Sequence, residues 1–289
     1  IAKIFGTMRA GGTVIWATDL KERKASEGGG KGQPKTVSYS YSASFAVALS
    51  GRPIRTVRRI WADGKLLRGA AGDFKSPTKF RLYLGDEDQA ADPLIASAEG
   101  IGQAPAFRGL AYAMFEDLEL ADYGNRIPSL TFEIVAEDVP VPLGAIAEEL
   151  AGGLLSADET PSLAGYAAAG DSVRGALEAL ADVVPLSLTD DGTGLRMRFG
   201  PSETVDILET HAGARAGRTG GPTEIMRQAV DSVAGEVSIA FHDVSRDYQT
   251  GLQRAGRGVA ARWAERLALP AVLTAGVAKA FAEARLATL

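Results

Sequence analysis

Several clusters in the sequence carry the residue types that chemistry requires. Gly28-Gly-Gly-Lys-Gly-Gln-Pro34 has the glycines and lysine of a phosphate-binding loop. Such a loop places Lys and then Ser or Thr directly after its last glycine and opens a helix. Here Gly32 follows Lys31 and Pro34 precedes strand-like sequence, so a flexible hairpin tip is the better account. Asp86-Glu-Asp88 with Asp92 gathers oxygen ligands for calcium but lacks the alternating Asp spacing that wraps one ion. A solvated loop or a subunit contact explains it more simply. Asp190-Asp-Gly-Thr-Gly194 is too short for a calcium cage and reads as a hairpin turn.

Glu116, Asp117 and Glu119 suggest the carboxylate pair of a glycosidase. That chemistry needs two acids facing one another across a cleft, one with a raised pKa. Neighbours on a strand end point to opposite faces, so Glu116 and Asp117 are poorly placed to cooperate. His211 and His242 are the only histidines, share no metal-ligand spacing, and no serine stands in a Gly-x-Ser-x-Gly elbow. The sequence therefore nominates no catalytic, cofactor-binding or metal-ligating residue, and reads as that of a non-enzyme.

Asp122-Tyr-Gly-Asn-Arg-Ile-Pro128 is the most distinctive polar cluster. Gly124 and Asn125 tolerate left-handed backbone, which predicts a tight turn. Arg126 is left free to pair with a loop carboxylate or a neighbouring subunit. Trp16, Trp61 and the tyrosines could stack on sugars, although sheet aromatics usually belong to the core.

Composition narrows the classes. The chain has 289 residues, 46% hydrophobic and 23% charged, which suits a globular protein of one large or two smaller domains. A net charge of −5 argues against nucleic acid as the main partner. The longest apolar-rich stretch, Leu267 to Phe281, is broken by Pro270 and Lys279 and falls short of a membrane helix. Cysteine is absent, which removes disulfides and thiol chemistry within these residues. The sequence opens on Ile1 without a signal-peptide pattern and is read as an internal piece of a longer protein, or as one whose start lies upstream.

The first 140 residues have a β-rich texture. Strands are predicted at Gly12–Thr18, Val37–Leu49, Ile54–Ala62, Leu110–Phe115 and Leu130–Val135. Asp63-Gly64 supplies a turn into Lys65–Leu67, and Asp92 with Pro93 starts a short helix to Glu99. From Val141 the texture turns helical, over Val141–Leu155 and Ser172–Val184, followed by a hairpin over Pro185–Phe199. Further strands are expected at Val205–Leu208 and Glu236–Phe241, with a mobile glycine- and arginine-rich stretch over Ala212–Pro222. His242–Arg257 reads as a polar loop, and Val259–Leu269 and Ala271–Leu286 as two helices separated by Pro270.

The blocks Ile60-Trp-Ala-Asp-Gly-Lys65, Tyr83-Leu-Gly-Asp-Glu-Asp-Gln89, Asn125-Arg-Ile-Pro128 and Asp243-Val-Ser-Arg-Asp-Tyr-Gln249 resemble tail-tip proteins of long-tailed phages. They are most similar to the large baseplate protein of phage-like gene transfer agents. The helix-plus-hairpin unit also resembles tail hub proteins similar to the central hub of contractile tails. In that family a glycosidase-like barrel lies upstream of the matching region, so the resemblance transfers no enzymatic activity here. It implies hub domains built of β-barrels and small α+β units in a three-fold ring closing the tail tube near the host envelope.

The combined expectation is an α+β fold: a barrel- or sandwich-like β-rich hub over 1–140, an inserted helix-plus-hairpin domain over 141–204, and return strands with C-terminal helices over 205–289 that pack back on the first domain. The expected function is a structural part of a phage-like baseplate or tail tip, supporting host attachment or envelope penetration. Expected partners are further copies in a trimer, distal tail and baseplate proteins, and the host envelope, with no nucleic acid and no cofactor. The location implied is the particle's tail, after synthesis in the bacterial cytoplasm. The alternative is a carbohydrate-binding or carbohydrate-active module for host surface glycans.

Overall fold

The computed structural model describes residues 1–27, 36–76, 78–158, 160–184, 186–190, 192–199, 233–258 and 263–289. The expected Gly28–Pro34 tip, the Val205–Leu208 strand, the Ala212–Pro222 stretch and His211 lie outside the described residues, as does Asp191 of the hairpin turn. In chain order the elements are β1 (Lys3–Gly11), β2 (Thr13–Ala17), β3 (Lys21–Glu27), β4 (Thr36–Ser50), β5 (Thr56–Ala62), β6 (Lys65–Arg68), β7 (Lys79–Tyr83), α1 (Pro93–Glu99), β8 (Ala111–Glu119) and β9 (Leu130–Val135). There follow β10 (Val141–Pro142), α2 (Leu143–Leu150), β11 (Leu155–Ala157), β12 (Ser162–Leu163), β13 (Gly165–Ala168), α3 (Val173–Ala181), β14 (Leu186–Asp190) and β15 (Leu195–Phe199). The last are β16 (Glu236–Asp243), β17 (Gln249–Gly256), β18 (Ala264–Leu273) and α4 (Ala275–Thr288). The β-rich α+β class expected from the sequence is the class observed.

The chain divides into two compact units. Unit 1 comprises Ile1–Val141, Ser162–Ala176 and Pro270–Val272. One of its sheets runs β13-β1-β9-β5-β6, and Ala271 and Val272 pair with Tyr166 and Gly165 at the β13 edge. The other runs β2-β4-β8-β7, with β3 also on β4. Both sheets are open, so the architecture is a sandwich and not a closed barrel. Phe45 of β4 stacks on Phe115 of β8, and Phe115 reaches Phe132 of β9 in the other sheet, at centroid distances of 5.2 and 6.3 Å. All three rings are fully buried, and each contributes on the order of 2–3 kcal/mol through burial. Gly12 joins β1 to β2 where the chain passes between sheets. A Cβ there would lie 2.2 Å from Val47 and 2.8 Å from Phe132, so only glycine fits the crossing.

Alternation along β4 sends Phe45 and Val47 to one face and Ala46 to the other. Ala46 packs with Ile95 of α1, Tyr112 and Met114, so α1 covers part of the sheet. The predicted start of this helix is observed: Asp92 Oδ1 accepts from the Leu94 and Ile95 amides, with Pro93 in the first turn. The turn at Asp63-Gly64 is also observed, both residues having positive φ, with β6 returning along β5.

Unit 2 comprises Pro142–Pro161, Leu177–Leu269 and Leu273–Leu289. In it, β14 and β15 form the predicted hairpin, β11 adds parallel to β15, and α2 packs on β11 around Ala147, Leu155 and Met197. Its C-terminal part corrects the sequence reading. Gln249–Gly256, read as polar loop, is strand β17, paired with β16 along its whole length. Ala264–Leu273, read as mostly helix, is strand β18, so the described C-terminal region holds one helix, α4, rather than two. Ala278, Ala282 and Leu286 of α4 are buried at helical spacing, and α4 packs on β16 and β17. Leu and Ala favour helix locally, but pairing with β16 overrides that preference.

Candidate assembly surface

The acidic block Tyr83–Gln89 with Asp92 is assembled into a rigid loop base in unit 1. Asp92 is fully buried. Arg81 of β7 grips it with two bonds, Nε to Oδ2 at 2.7 Å and NH2 to Oδ1 at 3.0 Å. The Tyr83 hydroxyl donates to Oδ2 at 2.8 Å. Burial works to raise the Asp92 pKa, but the bonds from Arg81, Tyr83 and the Leu94 amide outweigh it and hold the carboxyl below its ordinary value. Burial first, and then the bond to Asp92, push the Tyr83 phenol up to about 12. Its ring lies flat on Tyr112, 4.4 Å centroid to centroid.

Gln89 closes the same base, a role the sequence reading missed. Its Oε1 accepts from the Gly85 amide at 2.8 Å, and its Nε2 donates to the carbonyls of Ala106, Phe107 and Leu110. Gly85 has φ +92°, and a Cβ there would sit 2.9 Å from the Ala111 nitrogen. Strap and glycine together fix the loop, and Asp86, Glu87 and Asp88 stand exposed on it. Asp92 is held in the Arg81 fork, so it cannot complete a calcium shell with Asp86 and Asp88. Among the described residues no three metal-ligating side chains gather.

The carboxylates considered for glycoside chemistry are each engaged by cations. Glu116 receives Arg81 and Lys79, both at 2.7 Å, and these partners hold it below its ordinary value. A glycosidase acid needs the opposite shift. Asp117 pairs with Lys21 at 2.7 Å and Glu119 with Arg23 at 3.7 Å. The predicted turn at Gly124 and Asn125 is present, both left-handed, and Arg126 takes the loop carboxylate of Asp63 at 2.9 Å. His242 faces the Tyr248 carbonyl at 3.4 Å.

Of the two tryptophans weighed for sugar stacking, Trp61 is buried beneath cations and Trp16 is tied to a carboxylate. Trp61 is 5% exposed, with the guanidinium of Arg9 at 3.8 Å from its ring centroid and that of Arg59 at 4.9 Å. The Trp16 indole donates to Glu99 at 2.9 Å. The block Asp243–Gln249 forms the turn between β16 and β17: Asp243 accepts from Ser245, and Asp247 and Tyr248 are left-handed.

A second surface is a two-stranded ribbon. β3 pairs with β4 from Lys21 opposite Ser42 to Glu27 opposite Thr36, whereas β8 joins β4 only from Ser42 onward. Lys21 and Arg23 anchor its base to β8 through Asp117 and Glu119. Farther out, Tyr41 donates to Glu22, Lys24 lies over the Tyr39 ring, and Tyr39 remains 51% exposed.

Comparison with known proteins agrees with this construction. Residues 172–289 match the family model described as "Putative phage tail protein". No curated protein matches the sequence. Among solved structures, a chain of the "Virion of native gene transfer agent (GTA) particle" is similar over 100% of this chain and 72% of that one. The identity is 27% and the TM-score 0.79. Family model and backbone geometry thus show the likeness that the sequence blocks implied, to phage-like tail proteins and to a gene transfer agent particle in particular.

Proposed function

We propose that the chain is a structural part of the baseplate or tail tip of a phage-like particle. Copies of it form a ring, a trimer in this reading, that closes the tail tube and supports host attachment or envelope penetration. The observation that carries the proposal is the full-length likeness to the gene transfer agent particle chain. Two features of unit 1 support it. The ribbon of β3 and the start of β4 extends past its parent sheet, and a two-stranded ribbon is marginal alone in water, which suits an arm that rests against neighbours. The acidic loop is fixed from beneath by buried bonds, so little ordering entropy is lost when a partner docks on it. Contacts with distal tail proteins and the host envelope belong to the same proposal.

Imaging of particles from a producing strain tests it. The chain is expected as density at the tail tip, and its deletion is expected to leave tails without complete tips. Complete tips on particles that lack the chain would overturn the reading.

A further inference from the structure

Unit 2 carries a sheet face with two arginines that have no ion-pair partner among the described residues. α4 covers one side of β17 and β16, where Val237, Ile239, Phe241 and Ala255 are buried, and reaches β18 through the pair of Arg285 with Glu265. Alternation places the neighbours of these residues on the opposite side. There Glu236, Ser238, Ala240, Leu252, Arg254, Arg266 and Ala268 line a groove of about 400 Å³. Leu252 is 49% exposed. Arg254 and Arg266 are exposed, and neither has an ion-pair partner among the described residues. Glu236 shares the face and offsets part of the charge, leaving it net positive.

The matching element is in the same sequence. Asp86, Glu87 and Asp88 are exposed on a loop held rigid by Gly85, Gln89 and the Arg81–Asp92 fork, and they too have no ion-pair partner among the described residues. We propose that the outer face of β17-β16-β18 docks the Asp86–Asp88 loop of a second copy of this chain, Arg254 and Arg266 taking its carboxylates beside Leu252. Because the two surfaces differ, the contact is head-to-tail, the kind that generates rings when its rotation closes. The inference rests on the reading of the chain as a ring-forming tail component and specifies the contact that forms the ring.

Charge reversal tests it. The substitutions Arg254→Glu with Arg266→Glu, Asp86→Lys with Asp88→Lys, and all four together are made in the full chain. Self-association is read by sedimentation equilibrium at low and high salt. Each pair of reversals is expected to weaken association about tenfold or more, and the four together to recover most of it, since close interfacial charges couple strongly. All four sites are exposed and have no ion-pair partner among the described residues, and circular dichroism checks that each variant folds. A wild-type chain that stays monomeric at about 100 μM, unchanged association in the variants, or no recovery in the fourfold variant would each overturn the proposal. Incorporation of the variants into particles separates the two readings. Normal tails built from variants that no longer self-associate sink this contact and leave the tail role standing. A chain that self-associates through these charges but is absent from tails sinks the tail role alone.

Discussion

In unit 1, Asp92 is buried with both oxygens shared among Arg81, Tyr83 and the first amides of α1. In unit 2, Arg254 and Arg266 stand exposed on an open sheet face with no ion-pair partner among the described residues. The first region spends its charge on position: removing any member strands a desolvated group. The second keeps its charge in solvent, unengaged by any described carboxylate. Whether a side chain organises the protein or meets a partner is thus decided by burial and pairing more than by residue type.

That contrast can be broken by experiment. Trp61→Ala should have the largest effect, removing a buried ring that two guanidinium groups cover and costing about 4 kcal/mol by urea denaturation. Glycan binding lost from Trp61→Ala protein that remains fully folded would contradict the buried role. Asp92→Ala should cost about 3 kcal/mol, the low end for breaking a buried pair because Arg81 is partly exposed. Gly85→Ala should cost about 2 kcal/mol, from positive φ and the close Ala111 nitrogen. It should also speed amide exchange across residues 84–90, and unchanged exchange would show that the loop base is not what fixes the loop.

Acid sharpens the comparison further. The Asp92 pKa is lowered by folding, so its contribution is complete above the ordinary aspartate value and lost as the pH falls through the folded value. Wild-type stability should therefore drop below about pH 4, and the Asp92→Asn variant should show a shallower decline. Parallel profiles would remove Asp92 from the account. The smallest effects belong to exposed charges: Arg126→Ala and Arg254→Ala should each change monomer stability by no more than about 0.5 kcal/mol. A larger loss from Arg254→Ala would mean that its face is organised internally.

Much of unit 1 was legible because its signals are local. Asp92-Pro93 specified a helix start, Asp63-Gly64 a reversal, and the alternation from Val37 to Leu49 a strand. In unit 2 the local signals misled. β17 buries only Gly251 and Ala255, residues too small to write an apolar alternation, and a Cβ on Gly251 would meet the Phe241 ring at 2.6 Å. The strand is visible only once β16 lies beside it. β18 is rich in leucine and alanine, and its strand state follows from its neighbours. β3, full of charge, gave no periodicity at all. Gln89 was hidden for a related reason: its partners lie on a second loop beyond α1, and nothing in the sequence marks the two as meeting.

β4 runs unbroken for 15 residues, from the free part of the ribbon to the Phe45 stack. A pull along the ribbon's axis would therefore travel through one continuous backbone into the sandwich and load the bonds to β8 and β2 in shear, all together, where a peeling force would open them one by one. The arm is thereby joined to the core by one continuous strand, with no loop or hinge between the two.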